Sequence, residues 1–240
     1  MQHRIVTAAA LALALAGCSG AQTNTTSIVI SGSTALLPLV KQAAVDYQGA
    51  HPNVKVSVAG GGSRVGITQV AQRAVDIGDS DIPAPDQPSL VDHRVAVVTF
   101  GVVVNPQAGV KTLTAAQIRA IFSGKIANWS QAGGRNAPIT IINRPRSSGT
   151  VAAMVAQTPG AISYLGMAYV TPGQQIAVSI DGVAPAEANV ESNSYKYWSY
   201  EHMFTNGQPS AAVAGFISFV KNDRALLQRL KFIPVDKVKP

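Results

Sequence analysis

Cysteine is nearly absent from this chain: Cys18 stands alone among 240 residues, so no internal disulfide can form. Charge is scarce too, at 13% of residues, and a formal balance of +7 is spread without any lysine or arginine run. Nucleic-acid binding calls for a basic cluster interleaved with aromatics, and aromatics make up only 6% of the chain. That class is excluded. The histidines at positions 3, 51, 93 and 202 show no metal-ligand spacing, and Gly-x-Ser-x-Gly and Walker-type motifs are missing. No catalytic residue, metal or cofactor is therefore expected. An apolar run of ~20 residues, the length that spans a bilayer as a helix, is also lacking.

What is present begins at the N-terminus. Met1 to Arg4 is short and basic, and Ile5 to Ala16 is apolar or small throughout, ending at Gly17 and Cys18. This is the pattern of a secretory signal, expected over residues 1–17. Leu15-Ala16-Gly17-Cys18 suits a lipoprotein signal peptidase, which would leave Cys18 as the acylated first residue. Two acyl chains on a thioether suffice for stable anchoring. The polar stretch from Ser19 to Thr26 completes a lipid anchor and flexible leash over 18–26. The expected location is outside the cytoplasmic membrane, tethered and facing the periplasm or cell exterior.

Past the leash the pattern alternates strand with helix. Ile28-Val29-Ile30 precedes helical spacing over Ala35 to Tyr47, and Val54 to Val58 precedes helical spacing over Arg64 to Ala74. A third strand is expected at Val75 to Gly78, and the sheet is expected to be mainly parallel. Pro83 to Pro88 reads as a surface loop. Val95 to Val104 is too long and apolar for an edge strand and is expected to cross between lobes. Then come a helix at Thr114 to Phe122, a strand at Ile139 to Asn143 and a short helix at Val151 to Gln157. Ser210 to Lys221 and Arg224 to Leu230 read as helices, with Phe232 to Val235 as a returning strand. The fold class is α/β in two lobes with a hinge: 27–100, then 101–195, then a return over 196–240.

Ser31-Gly32-Ser33-Thr34 and Ser147-Ser148-Gly149-Thr150 both lie between a strand and a helix, as does Gly60-Gly61-Gly62-Ser63. Unpaired N–H groups and the positive end of a helix dipole face outward at such places, where an anion is stabilised. Serine and threonine there serve equally well as plain helix caps. Arg144, four residues before Ser148, adds a planar fork suited to two anion oxygens. Asp79 and Asp81, taken by themselves, read as a solvated loop pair.

These segments resemble the substrate-binding lipoproteins of bacterial ABC phosphate transporters, which have a type II-like periplasmic-binding-protein fold. The matching stretches are Gly32-Ser33-Thr34, Gly60 to Ser63, Asp76-Ile77-Gly78, Ser80-Asp81, Asn143-Arg144, Ser148-Gly149-Thr150 and Gln157 to Ile162, with Ser179 to Val183 beyond. They cover nearly the whole mature chain in order. The resemblance implies that Thr34, the N–H of Ala35, Ser63 and Asp81 bind inorganic phosphate from one lobe. Arg144, Ser148, Gly149 and Thr150 would bind it from the other. A membrane permease and an ATPase are the implied partners, and a monomer is expected.

The chain departs from that family where only Val151 to Ala156 separates Thr150 from Gln157, so lobe two is expected to be shortened. A receptor for another oxyanion such as sulfate or molybdate, or a structural or sensing lipoprotein that has lost its ligand, are the alternatives. A secreted phosphatase using Ser33, Ser63 or Ser148 is the remaining one. Asp81 favours phosphate over sulfate, because a carboxylate facing an anion needs a proton from it. Phosphate carries one near neutral pH.

Overall fold

The computed structural model describes residues 25–143 and 147–239. The signal, Cys18 and most of the leash, like Arg144, lie outside the described residues. In chain order the first lobe opens with Thr26–Gly32 (β1), Leu37–Ala50 (α1), Val54–Gly60 (β2), Ser63–Ala71 (α2) and Ile77–Ser80 (β3). Leu90–Val104 (β4) leads to Thr112–Leu113 (β5), Ala115–Phe122 (α3), Thr140–Ile141 (β6), Ser148–Gln157 (α4) and Ala161–Gly166 (β7). Ile176–Ala177 (β8), Ser179–Ile180 (β9) and Glu187–Glu191 (α5) follow. The chain ends with Trp198–Asn206 (β10), Ala211–Asn222 (α6), Arg224–Arg229 (α7) and Phe232–Ile233 (β11).

β2 and β3 both pair in parallel with β1, because each intervening helix carries the chain back to the same end of the sheet. Gly32 is level with Gly60 on one side and Asp79 on the other, so three strands finish on one rim. The sheet continues in the order β2-β1-β3-β10-β4-β7-β6. It is mixed rather than mainly parallel. β10 runs antiparallel to both β3 and β4, since it arrives from the end of the second lobe and owes nothing to a βα crossover.

β4 joins the lobes. Leu90 to Thr99 pair with β10, and Phe100 to Val104 pair with β7, both antiparallel. β11 returns to lie on the same strand opposite Val97 and Val98. The hydrophobic patterning of the sequence predicts no strand at β10. Trp198 and Tyr200 belong to this strand, with ring centroids 5.4 Å apart, and His202 stacks on Phe204 at 5.3 Å. Buried His202 also holds Asp92 of β4 at 2.7 Å from Nδ1 to Oδ1.

Two packing centres flank this spine. In the first, Leu36 and Leu39 of the α1 end and Phe216 of α6 cover Ile28, Ile30, Ile77 and Met203 of the sheet. In the second, Trp129 packs with Leu113, Ile121 and Ile162, its indole N–H donating to the carbonyl of Gly160 at 2.9 Å. Val151 and Val155 of α4 cover Leu165 beside it. Local caps agree with the letters: Thr114 and Gln117 form a reciprocal capping box, and Asp223 accepts from the N–H of Leu226.

α2 rests on the rim with no side chain between. A Cβ at Gly66 would lie 2.6 Å from the Asp79 carbonyl oxygen and 2.7 Å from Gly32 Cα. Gly66→Ala should therefore lower stability by about 1–3 kcal/mol, as overpacking does. Gly49→Ala, at a helical site with nothing within 4 Å of the new methyl, should raise or preserve it. Urea unfolding midpoints of the two variants check this.

Candidate anion-binding site

The three strand ends meet because Gly32 has no side chain. It adopts φ +146°, and a Cβ there would fall 2.0 Å from the Asp79 carbonyl oxygen. Its own carbonyl accepts from Gly61 and Gly62 N–H at 2.9 and 2.8 Å, which fixes the turn into α2. Ser33 N–H donates to the Asp79 carbonyl at 2.9 Å, which fixes the turn into α1. Two helix N-terminal ends thus stand on one rim.

Ser33 Oγ accepts from the N–H groups of Ala35 and Leu36 at 3.2 and 3.3 Å. The amide that the resemblance gives to the anion is thus engaged locally, by a long hydrogen bond that a charged acceptor can outcompete. Thr34 is buried, and its Oγ1 lies 3.1 Å from Oγ of Ser148, the buried first residue of α4. A hydroxyl from each lobe is brought into contact.

Ser148, Gly149 and Thr150 form the first turn of α4 rather than the loop before it, with Ser147 as the cap. Ser147 Oγ accepts from Thr150 N–H at 3.4 Å, and the Thr150 residue is exposed. Gly149 is half-buried. Arg144, the expected charged partner, lies outside the described residues. Its contribution to the geometry therefore stays with the resemblance.

Ser63 and Asp81 meet at the start of α2. Ser63 Oγ donates a short hydrogen bond to Asp81 Oδ1 and accepts from Asp81 N–H at 3.0 Å. Ser199 Oγ of β10 donates to the Asp81 carbonyl at 2.7 Å. Both backbone and carboxylate of Asp81 are thereby oriented. Its neighbour two residues back is no solvated partner: Asp79 is 1% exposed, and its Oδ1 has no hydrogen-bond partner among the described residues. Burial pushes the Asp79 carboxyl well above the usual carboxylate range, because desolvation penalises the charged form.

Two further residues touch these groups and carried no local signal. Tyr169 donates its hydroxyl to the Thr34 carbonyl at 2.6 Å, across 135 positions of sequence. Ser199 reaches Asp81 across 118. Only the folded sheet and the closed lobes place either one. Nothing in Met-Ala-Tyr-Val or Trp-Ser-Tyr-Glu announces such a role.

Comparison with known proteins gives concordant findings. Residues 19–224 match a family model described as a PBP superfamily domain. A Bacillus subtilis protein named phosphate-binding protein PstS is 37% identical over 246 aligned positions, spanning 89% of this chain and 82% of the relative. A Clostridium perfringens structure, described as a phosphate ABC transporter substrate-binding protein with bound phosphate, superposes with a TM-score of 0.83. It is 25% identical, with 88% of this chain and 100% of that one covered. An ABC-type phosphate transport receptor from Vibrio cholerae, 21% identical, shares the fold at a TM-score of 0.68, with 87% of this chain and 99% of that one covered.

Asp79 yields a pH signature. A raised carboxyl pKa means the folded state holds its proton more tightly than the unfolded state. That stability is fully present below the ordinary carboxylate pKa and is lost as pH rises through the folded one. Asp79→Asn should gain stability relative to the native sequence as pH rises above about 4, and the difference should no longer change with pH below it. Urea unfolding of both proteins from pH 3.5 to 8 measures the crossover.

Proposed function

The chain belongs to the PBP superfamily and, within it, to the phosphate-binding PstS family, and on that premise we propose that it captures inorganic phosphate outside the cytoplasmic membrane for an ABC importer. The observation that carries the reading is the 3.1 Å meeting of Thr34 and Ser148 hydroxyls, which belong to different lobes and to the starts of different helices. An anion between those turns gains donors from both sides without needing a full counter-charge for each of its own charges. Arg144, which the resemblance gives to the anion, carries the guanidinium suited to a charge-assisted, two-pronged contact with two of its oxygens. The N–H of Ala35, the hydroxyl of Ser63 and the turn through Gly149 and Thr150 complete the shell.

Asp81 sets the selectivity. Its Oδ1 is held by Ser63, so Oδ2 is the acceptor left for a proton carried by the ligand. Hydrogen phosphate and dihydrogen phosphate both carry one. Sulfate offers none and would face the carboxylate as a like charge, a mismatch that rejects analogues by roughly 10⁴ to 10⁵ fold in buried sites. Micromolar affinity requires about 8 kcal/mol, within reach of a few charge-assisted bonds of ~1.5–3 kcal/mol each after ordering costs.

The protein acts as a binding protein, in line with the names its relatives carry. A lipid on Cys18 keeps it at the membrane, with permease and ATPase subunits as its partners and the leash raising its local concentration beside them. Among the described residues no helix is long and apolar enough to cross a membrane. The alignment with the Bacillus subtilis relative runs over 246 positions while using 89% of this chain, so the relative carries residues in the matched region that this chain lacks; we assign that deficit to the segment after Thr150.

Calorimetric titration of Asp81→Asn with phosphate and with sulfate tests the reading. The variant should lose at least about a hundredfold of its preference for phosphate, a fraction of what a buried mismatch can enforce. If phosphate loses nothing and sulfate gains nothing, Asp81 does not read the proton.

A further inference from the structure

Tyr169 ends the turn Met167–Tyr169 that follows β7, and so belongs to the second lobe. Its hydroxyl donates at 2.6 Å to the carbonyl of Thr34, in the first lobe. That carbonyl and the N–H of Ala35 are the two ends of one planar peptide unit. A donor on the carbonyl fixes the plane and polarises the amide, so the N–H at the other end becomes a stronger donor. The Tyr169 ring also flanks the start of α4: a Cβ at Gly149 would sit 3.6 Å from Cε1. One side chain therefore spans the two turns that face the anion.

The next residue makes a bond of opposite polarity to the same lobe. The Val170 carbonyl accepts from Nζ of Lys231 at 2.7 Å. Lys231 lies between α7 and β11, held at φ +60°. Residues 169 and 170 thus donate one hydrogen bond to the first lobe and accept another from it. Both bonds run between the segment after β7 and the first lobe.

We propose that Tyr169 is a positioning residue for the anion site, coupling closure of the lobes to the orientation and donor strength of the Thr34–Ala35 peptide. The proposal rests on the phosphate-binding reading for its ligand but on the 2.6 Å contact for its geometry. Ser33 Oγ accepts from the Ala35 N–H at 3.2 Å within the first lobe, a contact that does not depend on closure. On closure Tyr169 locks the far end of that peptide. The bound anion is then held by an amide that is set only while the lobes stay shut, so the effect falls on release rather than on capture.

The test uses the full-length protein purified in detergent, native and Tyr169→Phe, which keeps the ring and removes only the hydroxyl. Stopped-flow kinetics should show phosphate dissociating about tenfold faster from the variant, the equivalent of one lost hydrogen bond, with association changed less than twofold. The ¹⁵N and ¹H shifts of the Ala35 amide should move between the two proteins with phosphate present. Lys231→Met should speed dissociation while leaving the Ala35 signal in place, since it loosens closure without touching that peptide. An unchanged dissociation rate in Tyr169→Phe, or an Ala35 signal identical in the two proteins, overturns the proposal. If the native protein binds no phosphate, it is the functional reading that fails. The positioning role, which needs an anion for the lobes to close on, then fails with it.

Discussion

The close approach of backbone to backbone at Gly32 is the constraint on which the rest of this structure depends. β1 ends against β3 at a place where any side chain would overlap the Asp79 carbonyl, and α2 descends on the same spot through Gly66. With no Cβ at either position, three chain segments pack within a few ångströms and their peptide groups satisfy one another. Gly61 and Gly62 bond to Gly32, and Ser33 bonds to Asp79. The starts of α1 and α2 are aimed by this knot. So are Ser63 and Asp81, which stand where α2 begins and β3 has just ended.

The second determinant is β4, a single strand of fifteen residues that changes partner between Thr99 and Phe100. A strand shared by both lobes keeps their separation small while leaving rotation about the crossing segments open. Among the described residues, the contacts that hold the lobes together include the Thr34 and Ser148 hydroxyls, the Tyr169 phenol and the Lys231 ammonium. Such contacts are individually worth about 0.5–1.5 kcal/mol. They bias the closed arrangement without making it irreversible, as a receptor that must also deliver its ligand requires.

Much of this was legible in the letters because it is local. Helices over 115–122, 211–222 and 224–229 announce themselves by 3.6-residue spacing and by Thr114, Ser210 and Asp223 as caps. Two βα units in succession gave the parallel half of the sheet, and the apolar run through Val104 gave the crossing strand. β10 escaped because its inward and outward positions are both rich in aromatic, polar and charged residues, among them buried Glu201 and His202. His202 is tolerated there because Asp92 on β4 holds its Nδ1 at 2.7 Å. In the site, the Ser63 loop was visible as a strand-to-helix junction and Asp81 only through the resemblance, and their pairing was not visible. Asp79 looked like a solvated neighbour until the register placed it level with Gly32 and Met203 inside the sheet.

The central claim is that this closed rim captures phosphate and tells it from sulfate. Calorimetric titration of the native full-length protein with each anion, at neutral pH and equal ionic strength, tests it most directly. Saturable one-to-one binding of phosphate at micromolar or lower concentration is expected, with sulfate at least a thousandfold weaker, below the limit set by a buried like-charge mismatch. Equal affinity for the two anions, or no heat from phosphate at all, would contradict it.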